Sequence, residues 1–391
     1  MATVSVTSSY HSVRSARSVS CHPPLPLLPL FSRCRWHNPR CSLSTVTASR
    51  SEMSSSSSAA IDSPSLPPLP HSRVVVGCGG MSVDYLATVA AFPKPDDKIR
   101  STSLKVQGGG NAGNALTSAA RLGLKPRLIS KIANDAQGRI ALAELENDGI
   151  DTSYIVVSQE GNSPFTYVIV DSQTKTRTCI HTPGYPEMVP DDLPRSNLLS
   201  ALNGARLVYF DGRLHETALV VAQEATRMKI PILIDAERRR EGLDDLLKLS
   251  DYVVCSEKFP QEWTAAASTP SALLSILLKL PNVRFVIVTL GEKGCIMLER
   301  SMKEVPEPDE MDIDILMASL KEKVDVYNPM PIWISSKSNM RLCSNGMGSI
   351  CGRLILGTAE MIPPTELIDT TGAGDAFIGA ILYGICAEMP P

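Results

Sequence analysis

The stretch Ile368–Ile385, IDTTGAGDAFIGAILYGI, decides the reading of this chain. Gly372, Ala373 and Gly374 carry nothing larger than a methyl group, so the backbone there can come close to an anion. The apolar run after them predicts a helix, which sets their backbone N–H groups at a helix N-terminus, where phosphate binds readily. Asp375 falls in the first turn, beside such an anion, with its carboxylate free to take a proton from an attacking hydroxyl. An anion cradle and a base are the minimal equipment for phosphoryl transfer, which rests on positioning and charge stabilisation. The plainer alternative is that Asp375 only caps the helix.

Working back from that stretch, the chain reads as alternating strands and helices. The β-branched run Val74–Val76 predicts a first central strand that runs into glycines and a polar loop holding Asp84. "NAGNALTSAARLGL" and "QGRIALAELENDGI" predict helices that stop at Gly123 and Gly149, and "PRLISKIA" a strand between them. Further on, "ARLVYFDG", "IPILIDA", "SDYVVCS" and "VRFVIVTLG" read as strands with helical segments between them, and "GCIMLER" as a short strand. Such alternation predicts a mostly parallel sheet with helices on both faces. Two patches break it, near 97–107 and 165–181, and predict a small separate sheet; the second reads as a hairpin. The long polar segment 300–356 predicts one helix, "IDILMASLKEK", and otherwise a surface insertion.

Bulk composition excludes several classes. A net charge of −3 offers no basic excess for a nucleic-acid surface, and no run reaches membrane-spanning length. Ten cysteines at irregular spacing, with no CxxC pair, fit free thiols in a reducing compartment. Residues 1–51 lack Asp, Glu and Lys and are rich in Arg and Ser, the mark of an organellar transit peptide, with the Ala-Ser-Thr start of a chloroplast type. Residues 52–72 read as low-complexity linker, and the folded domain is expected over 73–391.

Three ordered stretches then carry a family resemblance. "GGGNAGNALTSAARLG" (Gly108–Gly123), "VTLGEKGC" (Val288–Cys295) and the Asp369–Asp375 stretch resemble the signatures of the ribokinase-like (PfkB) carbohydrate kinases. "TKTRTCIH", "YFDGR", "DAERRREGLDDLL" and "VVCSEKF" look like the ketohexokinase-like subgroup. The resemblance implies an α/β fold, a three-layer α/β/α sandwich with a mostly parallel central sheet and a small β-sheet lid. It also implies ATP-dependent transfer to a primary hydroxyl of a small sugar, a fructose-like ketohexose first. A nucleoside acceptor is the second expectation, and a catalytically weak plastid regulatory protein the rival.

Residue by residue, the resemblance makes Asp375 the general base and Gly372, Ala373 and Gly374 the anion hole. Asp369 and Thr370 fall where relatives bind a monovalent cation, usually potassium. Asp84, Gly110, Asn111 and Asn114 match positions that hydrogen-bond sugar hydroxyls, and Arg213 is a further substrate candidate. A carboxylate and two amides do supply the donors and acceptors that a polyol needs. Thr289, Gly291 and Gly294 match the nucleotide loop, with magnesium as the accompanying ion. Structural alternatives are a helix cap for Asn111, a turn cap for Asp84 and a tether for Arg213.

His181 and His215 read as non-catalytic, and the run "ERRRE" (237–241) as a solvated face, with assistance to an anionic substrate or ATP as the alternative. Two departures stand out. Ser256 and Phe259 occupy the places of the Asn and Glu that relatives use near magnesium, and Glu257 does not replace them. The chain also stops soon after the Asp375 helix, so the adenine wall is expected to be shortened. A homodimer through the lid strands is expected, and no direct nucleic-acid or membrane partner.

Overall fold

The computed structural model describes residues 69–390 except 71, 302–309, 326, 345, 364, 368 and 369, so the expected transit segment, most of the linker and Asp369 lie outside the described residues. The first half of the chain forms β1 (Val74–Cys78), β2 (Ser82–Val89), β3 (Ser103–Gly109), α1 (Asn111–Arg121), β4 (Lys125–Ala133), α2 (Ala136–Asn147) and β5 (Ile155–Ser158). Next come β6 (Phe165–Asp171), β7 (Arg177–Thr182), α3 (Arg195–Leu202), β8 (Ala205–Phe210), α4 (His215–Arg227), β9 (Ile232–Ala236) and α5 (Leu243–Leu247). Then follow β10 (Tyr252–Ser256), α6 (Phe259–Thr264), α7 (Thr269–Lys279), β11 (Phe285–Thr289) and β12 (Cys295–Arg300). The last group is β13 (Glu310–Asp312), α8 (Ile313–Lys321), β14 (Trp333–Ser335), β15 (Met340–Ser344), β16 (Gly348–Gly357) and α9 (Ala373–Cys386).

Twelve strands make one sheet in the order β13-β15-β16-β12-β11-β10-β9-β8-β1-β4-β5, with β14 beside β16. Every neighbouring pair from β5 to β11 is parallel. The side chains of these strands alternate between two cores. Val76, Val208, Ile234, Val253 and Val286 face α3 to α8, while Val75, Leu207, Leu233, Val254 and Ile287 face α1, α2 and α9. Burial on both faces is why these strands read as continuous apolar runs and not as alternating ones. The three-layer sandwich is as expected. The cysteines of the described residues are all free, and no helix among those residues is long and apolar enough to cross a membrane.

The small sheet is four-stranded, in the order β3-β2-β6-β7. It corrects two expectations. Asp84 sits within strand β2, paired with Gln107 and Thr166, and not in a loop. An acid inside a strand is uncommon, and here it persists because the Ser82 hydroxyl donates to it at 3.3 Å. The lid patch expected from residue 97 begins as a strand only at Ser103. The 165–181 hairpin is present, with Phe165 opposite Thr182.

The segment 300–356 is also different from a surface insertion. Its predicted helix is α8, but Ile313, Leu316, Met317 and Leu320 are all buried in the core, and β15 and β16 extend the main sheet. Glycines and polar residues in β16 hid it from a pattern reading, although Leu354 and Leu356 pack on one face and Ile355 on the other.

Candidate active site

Helices α1 and α9 bring the two signature stretches together. Gly379 in α9 lets them cross closely, since a Cβ there would stand 2.3 Å from the Ser118 hydroxyl of α1. At their N-terminal ends the Asn114 amide donates to the Asp375 carboxylate at 2.9 Å, across 261 residues of sequence. Asp375 does not act as a cap: the residue before the first turn is Gly372, at φ 76°, and no side chain caps the helix. Burial pushes the Asp375 carboxyl up to about 6; the Asn114 bond opposes this, and the charges of Asp211, Glu237 and Asp84 add to it. A carboxyl near that value is mostly ionised at neutral pH, able to accept a proton, and suits a general base.

The acceptor side is organised by an acid that the sequence reading quoted but did not single out. Asp211, at the C-terminal end of β8, is fully buried. Its Oδ2 accepts from the backbone N–H of Gly80 at 2.8 Å and of Ala112 at 3.3 Å, and from an Arg213 guanidinium N–H at 3.4 Å. It therefore caps α1 from another strand, which places negative charge at the helix N-terminus, and it also fixes Arg213. Asn111 is not an N-cap either: Gly110 precedes the helix without a side-chain cap, and the Asn111 amide donates to Glu237 at 3.4 Å. Gly110 itself, at φ 86°, is a packing requirement, because a Cβ would meet the Gly80 carbonyl oxygen at 2.6 Å.

Asp84 reaches this end from the lid. It is 8% exposed, and burial raises its carboxyl while the Ser82 and Thr166 hydroxyls hold it back. The Gly109 position opposite accommodates it, since a Cβ there would strike its carboxyl. Thr166 also pairs with the His181 ring at 3.1 Å on the same lid face.

The run 237–241 is not simply a solvated face. Arg240 donates to Glu237 at 2.8 Å with its side chain only 21% exposed. Burial pushes Glu237 up, but Arg238, Arg240 and Arg213 outweigh it and hold the carboxyl below its ordinary value. Asp235, at the end of β9, is pushed well up by burial and then by the charges of Asp211, Glu237 and Asp375.

A cavity of about 220 Å³ adjoins Asp375 and is lined in part by Asn111, Thr289, Gly372, Gly374, Ser256 and Arg177. Arg177 was missed in the sequence. It projects from lid strand β7 and donates to the Thr370 hydroxyl at 2.6 Å, bringing a guanidinium to the glycine turn. Its only signal was its place in the quoted "TKTRTCIH" stretch. Ala373 is exposed as the first residue of α9. Gly291 and Gly294 flank a short turn after β11; Gly294 abuts the Gly357 carbonyl and does not line the cavity.

Helix N-terminal N–H groups with an arginine beside them fit a nucleotide's phosphates. Phe259, where relatives carry a glutamate, is a core residue stacked on Trp263 at 6.3 Å, and Glu257 is exposed near Lys293. Among the described residues no three His, Cys, Asp or Glu side chains converge on a metal position. Magnesium is commonly held by one or two carboxylates, waters and substrate phosphates, not by an all-protein cage.

The sequence profile of the pfkB family carbohydrate kinases matches residues 73–312 and 356–391. The intervening 313–355, with α8, β14 and β15, is thus an addition that the fold has built into its main sheet. Mouse ribokinase is 21% identical over 318 residues, 80% of this chain and 82% of that protein. Mouse ketohexokinase is 24% identical over 189 residues, 46% of this chain and 62% of that protein. The solved Arabidopsis thaliana ribokinase complexed with ribose and ATP shares the fold, with a TM-score of 0.55 at 18% identity over 82% of this chain and 88% of its own. With the profile spanning both signature stretches and the parallel strands between them, the chain belongs to the pfkB family of carbohydrate kinases.

Proposed function

We propose that this protein transfers the γ-phosphoryl group of ATP to a primary hydroxyl of a small sugar, a ketohexose-like polyol first, with Asp375 as general base. The observation that carries this is the Asn114–Asp375 pair at the glycine turn, which joins the acceptor end to the anion end in one hydrogen bond. Asn111, Asn114 and Asp84 orient the acceptor. Asp375 takes the hydroxyl proton as the oxygen bonds to the γ-phosphorus and the bond to the bridging oxygen breaks, releasing ADP. Backbone N–H groups of Gly372–Gly374 and the Arg177 guanidinium neutralise the charge that develops on the transferring group. Thr289 borders the polyphosphate. Bound magnesium would supply charge neutralisation on the phosphates, and potassium beside Thr370 would shape the loop.

Two further readings belong to the same proposal. The acid-free, Arg- and Ser-rich start supports action in the plastid. A second copy of the chain would cover the outer lid face, where Val106, Tyr85, Tyr167 and Ile180 stand opposite one another across four strands and Tyr167 and Ile180 are more than half exposed.

The test is ATP- and magnesium-dependent phosphorylation across ketoses, pentoses and nucleosides. Turnover on a ketohexose supports the first choice, and turnover confined to nucleosides replaces it with the second. A folded protein that binds ATP and turns over no acceptor would favour a regulatory role.

A further inference from the structure

Beyond the atoms that handle a neutral polyol, the acceptor end gathers three arginines. Arg213 follows β8; Arg238 and Arg240 follow β9. Arg213 and the Ala112 backbone share one oxygen of Asp211, at 3.4 and 3.3 Å. Arg240 and the Asn111 amide share one oxygen of Glu237, at 2.8 and 3.4 Å. Both guanidinium groups are therefore one carboxylate away from the first turn of α1, where the acceptor is held. The stems are packed in place: the Arg213 Cδ lies 2.9 Å from where a Gly80 Cβ would stand, and the Arg240 Cδ 3.6 Å from a Gly212 Cβ.

These are poor tethers for their charge. A guanidinium has five N–H donors. Arg213 uses one of them in its side-chain bond and Arg240 one, while Arg238 comes no closer than 3.8 Å to Glu237. The remaining donors of the half-buried pair have no protein acceptor among the described residues; the three guanidinium groups form ion pairs with two carboxylates, Asp211 and Glu237, and Asp235, Asp375 and Asp84 stand farther round the same site. The like charges are crowded at a cost: burial, then Arg213 and Arg238, pull the Arg240 guanidinium down. From the lid, burial and then the same three arginines hold the His181 imidazole below its usual range.

Resting on the kinase reading above, we propose that the acceptor is an anionic sugar, a small polyol bearing a phosphate or carboxylate remote from the hydroxyl that is phosphorylated, and that Arg240 and Arg213, with Arg238 at the rim, bind that anion. A bidentate guanidinium matches either oxyanion.

The experiment is calorimetry on the full chain with fructose 6-phosphate against fructose and gluconate against glucitol, paired with ATP-dependent turnover on each. Wild type should bind one anionic probe at least tenfold tighter than its neutral partner, and which pair shows this tells phosphate from carboxylate. Arg240→Gln, and more mildly the exposed Arg238→Gln, should reduce that preference about tenfold, the anionic probe losing far more affinity than its neutral partner. Equal or tighter binding of the neutral sugars, or binding of neither anion, would overturn the inference. So would an Arg240→Gln loss of the same factor on both members of a pair in a protein whose melting point is unchanged. Turnover on neutral sugars alone would sink this inference and keep the kinase reading. Arg240-dependent binding of an anionic probe without turnover on any acceptor would do the reverse.

Discussion

The two glycine-rich turns of this protein look alike in sequence and do opposite work. At the acceptor end a Cβ on Gly109 would strike the Asp84 carboxyl, and one on Gly110 would strike the Gly80 backbone. At the phosphoryl end a Cβ on Gly372 or Gly374 would meet nothing within 4 Å. The first turn is glycine because two backbones and buried carboxylates are pressed together. The second has open space beside it, and its Gly372 holds a φ of 76° that favours glycine. The acceptor end is accordingly tight and cross-braced by Asp211, while the phosphoryl end is an open helix start tied by the side-chain bonds of Asn114 to Asp375 and Arg177 to Thr370.

The comparison can be broken by substitutions whose expected effects decline in order. Asp211→Ala removes the acid that braces the acceptor end and leaves Arg213 and two buried N–H groups without their acceptor. It should cost about 3–5 kcal/mol in chemical denaturation, the range for breaking a buried charge pair. A loss below about 1 kcal/mol would show that the brace is not needed. Gly110→Ala combines a left-handed backbone with an overpacked contact and should cost about 2–4 kcal/mol, read as a lower melting temperature. Wild-type stability in that variant would refute the packing account of the first turn.

Asp375→Asn should act in the other direction. The folded protein raises this carboxyl to about 6, above the ordinary value near 3.9, so it binds its proton more tightly folded than unfolded. The resulting stabilisation is present below the ordinary value and is lost as pH rises through about 6, above which the ionised group is a liability. Asn carries no such charge. The variant should therefore melt higher than wild type at pH 7.5 and equally near pH 3.5, and a destabilised variant at pH 7.5 would contradict the burial argument.

Asn114→Ala removes the bond that opposes this rise, so the acidic limb of the pH–rate profile should move to higher pH; movement to lower pH would show that Asn114 does not hold the ionised form. Gly374→Ala, at the open end, should change stability by less than about 0.5 kcal/mol while slowing turnover. A large stability loss there would erase the contrast between the two turns.

Much of this was legible in the sequence where a single local feature decides the outcome. The stops of α1 and α2 at Gly123 and Gly149 are positive-φ positions, as the glycines suggested. The parallel strands announced themselves by unbroken apolar runs. What stayed hidden depends on partners far along the chain. Asp211 caps a helix that starts a hundred residues earlier, and nothing beside it in "YFDGR" shows that. Strand β2 holds an acid near its start, so "SVDYLATV" reads as a loop until Thr166 and Ser82 are placed around Asp84. The run "ERRRE" looks solvated because five charges adjoin, yet the bend after β9 turns Glu237 toward Asn111 and half buries Arg240. Strand β16 starts with glycines and polar residues and shows its apolar run only at Leu354–Leu356, so its pairing with β12 and β15 is not visible locally.

The central claim is that Asp375 takes the acceptor's proton at a site whose nucleotide grip does not depend on it. Pre-steady-state turnover of Asp375→Asn, with ATP affinity measured on the same sample, tests it most directly. The account predicts a fall in the chemical step of about 10²–10⁴-fold, the range for losing a general base, with ATP affinity within about twofold of wild type. Wild-type turnover in the Asn variant would contradict it.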